Sequence, residues 1–185
     1  MFYHNITSDD MLNGDGLRVV LWVAGCQHAC PNCHNPSTWD AQSGIPFTDW
    51  DEAEFWEKLS QTHINGCTFS GGDPLHPANR DTIGRLADTV KKLYPNKDIW
   101  LYTGYKLDFD NSSRCWIFHD NVINLEPFSI DWIDSIDVIV DGRYVQKVRE
   151  EDIHSGTPAL WRGSSNQNVI DVKKSLSAGR IVSFL

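Results

Sequence analysis

An α/β fold with a mostly parallel sheet and covering helices is predicted from three observations. Apolar, β-branched runs of strand length recur along the chain, with helical patterns between them. The 185 residues hold no repeat, low-complexity tract or long linker, so 1–185 is read as one domain with a core of its own. The residues with most chemical capacity follow the predicted strands, where parallel α/β folds place their ligand-binding loops.

The elements follow in order. LRVVLWVA (17–24) reads as a first buried strand, and a cysteine-rich stretch follows it directly. FTDWDEAEFWEKLSQT (47–62) reads as a helix, with Thr48 as N-cap and Asp51 three residues on. GCTFS (66–70) is a second strand running into GGDPLHP. In ANRDTIGRLADTVKKLYP, Ile83, Leu86, Val90 and Leu93 share one helical face, and Pro95 ends the helix. DIWLYT (98–103) is a third strand, followed by Gly-Tyr, and SIDVIVDG (135–142) is another. Between them, 106–131 carries no readable period, and DFDNSSRCW within it reads as a loop. A polar segment, REEDIHSGTP, leads to LWRGSSNQNVIDV, whose end reads as a final strand.

Composition narrows the partners. The chain is 41% hydrophobic and 22% charged, as soluble globular proteins are. Sixteen basic against 25 acidic residues give a net charge of −9, and no Lys/Arg cluster stands out, so nucleic acid is not an expected partner. The longest buried strand pattern is far too short to cross a bilayer, so no membrane is expected either. The N-terminal stretch lacks a basic start followed by an apolar run, so no secretory signal is expected. The protein is therefore expected in the cytoplasm, where thiols stay reduced. Eight tryptophans, Trp39 among them, are assigned to packing and to an aromatic rim for docking.

Five cysteines include three in eight positions: Cys26, Cys30 and Cys33. Cys30-Pro-Asn-Cys33-His34 is formally a haem-attachment string, but that chemistry requires export and leaves Cys26 idle. A thioredoxin-like dithiol also leaves Cys26 idle. Structural zinc could draw a fourth ligand from His28, His34, Cys67 or Cys115, although zinc ribbons pair one Cys-x-x-Cys with a second, absent here. A 4Fe–4S cluster uses all three thiolates. It leaves one iron open to an exogenous group unless Cys67 or Cys115 completes the set. Those two read as small apolar or loop residues. His28 and His34 read as exposed loop residues rather than ligands, since three thiolates suffice.

The Cys-x3-Cys-x2-Cys pattern resembles the signature of the radical S-adenosylmethionine (SAM) enzymes. Ser70-Gly71-Gly72-Asp73-Pro74 is similar to that superfamily's glycine-rich motif, often Gly-Gly-Glu-Pro, which binds the methionine amino group of SAM. Glycines without Cβ atoms let carbonyls approach an ammonium group, and Asp73 adds a negative charge. The resemblance narrows to the small activases of glycyl radical enzymes, and among them to those serving the anaerobic, class III ribonucleoside-triphosphate reductase. Five stretches carry it: 13–18, 25–39, 70–77, 101–105, and 137–146 with 160–167. Asn32 stands where many radical SAM enzymes have an aromatic, and 106–131 is longer than in compact members.

The resemblance implies an open, partial parallel β/α barrel and one 4Fe–4S cluster on Cys26, Cys30 and Cys33. It implies SAM on the fourth iron, contacted by the backbone of Asn32, Cys33 and His34 and by Gly71, Gly72 and Asp73. Thr103, Asp141 and Arg162 are further candidates from their places after strands. Reductive cleavage of SAM would generate a glycyl radical on the large subunit of the reductase, drawing on a low-potential electron donor. No side chain is nominated as general acid or base. A ferredoxin-like carrier, a zinc-stabilised interaction module and an activase of another glycyl radical enzyme remain as alternatives. The last often carries a cysteine-rich insert that this chain lacks.

Overall fold

A computed structural model describes residues 1–110, 115–120 and 125–185. Its frame is a seven-stranded mixed sheet. Four strands at the centre are parallel: β2 (Arg18–Val23), β4 (Gly66–Gly71), β5 (Asp98–Tyr102) and β9 (Val138–Asp141), adjacent in that order. β1 (Phe2–Asp10) and the two-residue β3 (Ile45–Pro46) extend it beyond β2, and β10 (Asn168–Asp171) beyond β9, all antiparallel. The sheet is open, with β3 and β10 at its edges. The fold is thus mixed α/β, with the expected parallel centre and unforeseen antiparallel margins.

The central strands are nearly continuous apolar runs because both faces are covered. On one face Val19, Leu21, Phe69, Ile99, Leu101 and Ile139 pack against two helices. α1 (Asp49–Ser60) contributes Phe55 and Leu59, and α2 (Arg80–Leu93) contributes Ile83, Leu86 and Val90. Thr48 caps α1 as expected, its N–H donating to the Asp51 carboxylate at 2.7 Å. The opposite face holds Trp100, Val138, Val140 and Val169, covered by Trp161 and Phe184 from the C-terminal part of the chain.

Four features depart from those expectations or add to them. Leu93, on the apolar stripe of α2, is 61% exposed, because the stripe drifts off the sheet in the last turn. The polar segment at 149–158, given no element in the sequence, begins inside helix α3 (Gln146–Ser155), which Gly156 closes in the left-handed conformation at φ 72°. A short helix, α4 (Val172–Ala178), follows β10 with Asp171 as its cap.

The fourth concerns the segment after β5. Of the predicted loop at 108–116, residues 108–110 and 115–116 lie in strands β6 (Lys106–Asp110) and β7 (Cys115–Asp120), which with β8 (Leu125–Phe128) form an antiparallel sheet of their own. The part of the predicted loop at 111–114 lies outside the described residues. The crossover from β5 to β9 therefore runs through a meander instead of a helix. Leu107 and Phe118 of that meander join the main core, and Phe128 stacks on Phe118. Cross-strand aromatic and apolar pairing explains why no helical period could be read there.

Candidate functional site

At the carboxyl ends of β2, β4, β5 and β9 the chain encloses a cavity of about 500 Å³. That size suits a drug-sized or nucleoside-sized ligand. Cys26, Cys30 and Cys33 line one side, and Gly71, Gly72 and Ser70 lie on the same wall. Gly142, Arg143, Tyr144, Trp161 and Arg162 come from after β9 and complete it.

The cysteine loop leaves β2 through tight backbone pairing. Gly25 N–H donates to Thr38 O (2.7 Å) and Cys26 N–H to Trp39 O (3.0 Å). Ala29 (φ 48°) and Asn32 (φ 57°) adopt the left-handed conformation, coiling the loop so that all three thiols reach the cavity. Asn tolerates this conformation well; Ala does so at a cost. Without a metal, burial and the nearby Asp73 push the Cys26 thiol up to about 12, and burial also raises Cys30. Three soft thiols on a cavity wall are a fitting donor set for an iron–sulfur cluster. Among the described residues, neither Cys67 nor Cys115 lines this wall. Cys67 is fully buried among apolar neighbours on β4.

The Gly71-Gly72-Asp73 turn is locked to that loop. Gly72 N–H donates to Val23 O and Asp73 N–H to Gly25 O, each at 2.7 Å. A Cβ on Gly72 would lie 2.5 Å from Gly25 O, and Gly71 has φ 106°. Close backbone-to-backbone approach, as well as approach to a ligand, therefore calls for these glycines.

Asp73 is buried directly behind the wall, a carboxylate oxygen within 4.8 Å of Cys26 Sγ. Its carboxylate accepts from His28 Nε2 (2.7 Å), Thr103 Oγ1 (3.0 Å), Gly104 N–H (3.0 Å) and Leu75 N–H (2.8 Å). His28 is a correction: expected in an exposed loop, it is 2% exposed. Its Nδ1 reaches Asp120 Oδ2 at 2.7 Å. Carboxylates only accept, so both ring nitrogens donate and neither is left for a metal. Burial works against the charged ring, but Asp73 and Asp120 outweigh it and raise the His28 pKa. His34, by contrast, is exposed as expected, its ring 4.9 Å from that of Tyr144.

Of the candidates read from the sequence, Cys26, His28, Cys30, Cys33, His34, Gly71, Gly72, Thr103 and Arg162 line the cavity, while Asn32, Asp73 and Asp141 do not. Thr103 spends its hydroxyl on Asp73. Asp141 is fully buried, accepting from Lys106 Nζ (3.0 Å), Leu107 N–H (3.0 Å) and Asn168 Nδ2 (2.9 Å). Sequence reasoning missed Arg143, Gly104 and Asp120. Arg143 sits in the conspicuous Asp-Gly-Arg-Tyr string after β9, which was a usable signal. Asp120 lies 92 residues from His28, and no local pattern marks it.

The model of a 4Fe-4S single cluster domain matches residues 12–170. The chain is 40% identical over 171 residues to the anaerobic ribonucleoside-triphosphate reductase-activating protein of Escherichia coli K12, covering 91% of this chain and 97% of that one. It is 40% identical over 169 residues to the protein of the same description from Enterobacteria phage T4 (91% and 93% covered). For that from Haemophilus influenzae the figures are 38% over 170 residues (90% and 96%).

The chain belongs to the family of anaerobic ribonucleoside-triphosphate reductase-activating proteins.

Membership covers the whole cavity: the matched residues 12–170 include the cysteine loop, the Gly-Gly-Asp turn, Arg143 and Arg162. No helix among the described residues is long and apolar enough to cross a membrane.

Proposed function

We propose that this chain is the activating enzyme of an anaerobic ribonucleoside-triphosphate reductase and generates a glycyl radical on that reductase's large subunit. The observation that carries the proposal is the convergence of three thiols and the Gly-Gly turn on one wall of one cavity. In this reading Cys26, Cys30 and Cys33 hold a 4Fe–4S cluster at three irons, and SAM occupies the rest of the cavity. When bound, the cluster and SAM would supply one-electron chemistry: one electron from a low-potential donor would split SAM into methionine and 5′-deoxyadenosine, the latter carrying off the hydrogen of a glycine Cα of the partner.

The chain's own residues bind, orient and exclude water. Two guanidinium groups face the cavity with a nitrogen that makes no hydrogen bond: Arg162 Nε, and Arg143 Nη1, whose charge is already partly engaged by Asp120 at 3.7 Å. Buried donors left open in this way fit an anionic group, such as the carboxylate of SAM. Arg162 Nη1 donates to Gln167 O at 3.0 Å, which helps to aim the side chain. Asn32, Cys33 and His34 contribute backbone groups at the third cysteine, and Gly71 and Gly72 those of the turn. Asp73 acts behind that wall, through His28.

The sheet, open at β3 and β10, is read as an incomplete β/α barrel whose open side admits the glycine-bearing loop. One domain spans 1–185, and the reaction belongs in a reducing cytoplasm.

Electron paramagnetic resonance on anaerobically reconstituted, dithionite-reduced protein tests the reading. A 4Fe–4S signal that changes when SAM is added is the expected result. A signal indifferent to SAM means a fully ligated electron carrier, and zinc in place of iron means a structural module.

A further inference from the structure

We propose that Asp120–His28–Asp73 is a positioning clamp that fixes the cysteine loop against the Gly-Gly-Asp turn, and that the β6–β8 sheet exists to supply its outer carboxylate. The proposal rests on the activating-enzyme reading for its consequence, although the clamp itself is visible without any ligand.

The cysteine loop has few bonds of its own. Within 26–33 one backbone hydrogen bond closes on itself, Cys33 N–H to Cys30 O at 3.0 Å. His28, two residues from both Cys26 and Cys30, is the most buried residue of that stretch. Its ring is held at both ends at 2.7 Å by carboxylates from two different sheets: Asp73 after β4, and Asp120 at the end of β7. Asp120 and Asp73 are each almost wholly buried. Nothing in an exposed cysteine loop requires this, since solvent would satisfy a surface histidine.

The surroundings are moulded to the ring. A Cβ on Gly104 would come within 2.2 Å of His28 Cδ2, although Gly104 does not have the positive φ that ordinarily calls for glycine. Gly104 N–H and the Thr103 hydroxyl both complete Asp73. Tyr105 then meets the His28 ring edge-on at 4.5 Å and the Phe128 ring of β8 at 4.9 Å. The Thr103-Gly104-Tyr105 string thus reads, residue by residue, as the seat of the clamp. Arg143 ties in the fourth strand end: it donates to His28 O and lies 3.7 Å from Asp120. The meander that replaces the third crossover helix thereby acquires a purpose, to deliver a carboxylate behind the cluster loop.

Such residues act through the groups they orient, and losing them typically costs roughly 10–100-fold in the affinity of the site they support. Asp120→Asn keeps shape and removes one charge; His28→Gln removes the two-ended donor. In iron-free protein held well below each variant's melting temperature, alkylation of Cys26 and Cys30, mapped by mass spectrometry, should speed up roughly ten-fold in Asp120→Asn while buried Cys67, the control for global unfolding, stays protected. In reconstituted protein, the SAM concentration that half-converts the reduced cluster's paramagnetic signal should rise roughly ten-fold or more. The double variant should be no worse than His28→Gln alone, since both cut one chain of contacts. An unchanged alkylation rate in Asp120→Asn overturns the clamp, and an unchanged midpoint overturns its coupling to the Gly-Gly turn. Should His28→Gln fail to fold, Asp120→Asn still decides. Should the wild-type signal ignore SAM, the activating-enzyme reading falls, and the alkylation rates still judge the clamp.

Discussion

The two ends of the same four strands carry buried polar groups of opposite character. At the amino ends, Arg18 is fully buried and every donor is satisfied: Nε to Thr68 Oγ1 (2.7 Å), Nη1 to Asp15 O and Asp98 Oδ1 (both 2.8 Å), Nη2 to Cys67 O (2.6 Å). Trp100 lies against its guanidinium at 5.4 Å. Asp137 nearby accepts from Ile99 N–H, from Lys91 and from Lys173. At the carboxyl ends three buried donors and one buried acceptor make no hydrogen bond. All four buried side-chain atoms without a hydrogen-bond partner among the described residues, on Trp39, Asn79, Arg143 and Arg162, lie there. A closed polar cluster holds a fold together; an open one waits for a ligand.

That contrast can be broken or sharpened by experiment. The largest effect is expected for Cys30→Ser at the open end. Reconstituted protein should lose its cluster-bound iron, read by metal analysis and visible absorption, while the apo protein melts near the wild-type temperature. Retention of a full cluster would end the three-thiol reading.

Next is Arg18→Met at the closed end. Asp98 is 37% exposed and stays solvated, but the buried Cys67 carbonyl and Thr68 hydroxyl lose their donor, so urea unfolding should show a loss of about 1–3 kcal/mol with the paramagnetic spectrum unaltered. A large spectral change with little loss of stability would erase the division between the ends.

Two glycines sharpen the comparison. A Cβ on Gly72 meets Gly25 O at 2.5 Å, and one on Gly66 meets Asp98 O at 2.1 Å. Both clashes are backbone on backbone, so both variants to alanine should destabilise by about 1–3 kcal/mol. Only Gly72→Ala should also weaken the response to SAM, by up to ~100-fold, because a shift of about an ångström at the turn displaces the ligand seat.

The smallest effect is in acid. Burial pushes the Asp137 carboxyl up, but Lys173, Lys91 and the Ile99 N–H outweigh it and hold its pKa below the usual range. A depressed folded pKa contributes stability that is complete above the unfolded value of about 3.9 and is lost as pH falls through the folded value. Asp137→Asn should therefore flatten the acid limb of a stability–pH curve below about pH 4. It should leave neutral-pH cluster spectra untouched, and an unchanged limb would mean that the pair contributes nothing measurable.

The parallel centre and both long helices were legible in the sequence because each rests on a local signal: apolar runs for β2, β4, β5 and β9, a cap and a period for α1 and α2. Leu93 misled because a period continues past the point where the sheet it faces has ended. The meander at 106–128 was illegible because its strands are stabilised by cross-strand partners up to thirteen residues apart, Lys106 opposite His119.

The same division holds for the site. Cysteine spacing determined on its own that three thiols sit in one loop, and the Gly-Gly-Asp string that a tight turn follows β4, since both depend on neighbours in sequence. Only the tertiary structure decided that His28 is core rather than surface, that Asp73 is buried behind the cavity wall, and that Arg143 and Arg162 each bring to the cavity a nitrogen that makes no hydrogen bond. Those outcomes are set by which groups strands β5, β7 and β9 bring to one place. Burial and hydrogen bonding across 92 residues leave no periodic trace in the chain.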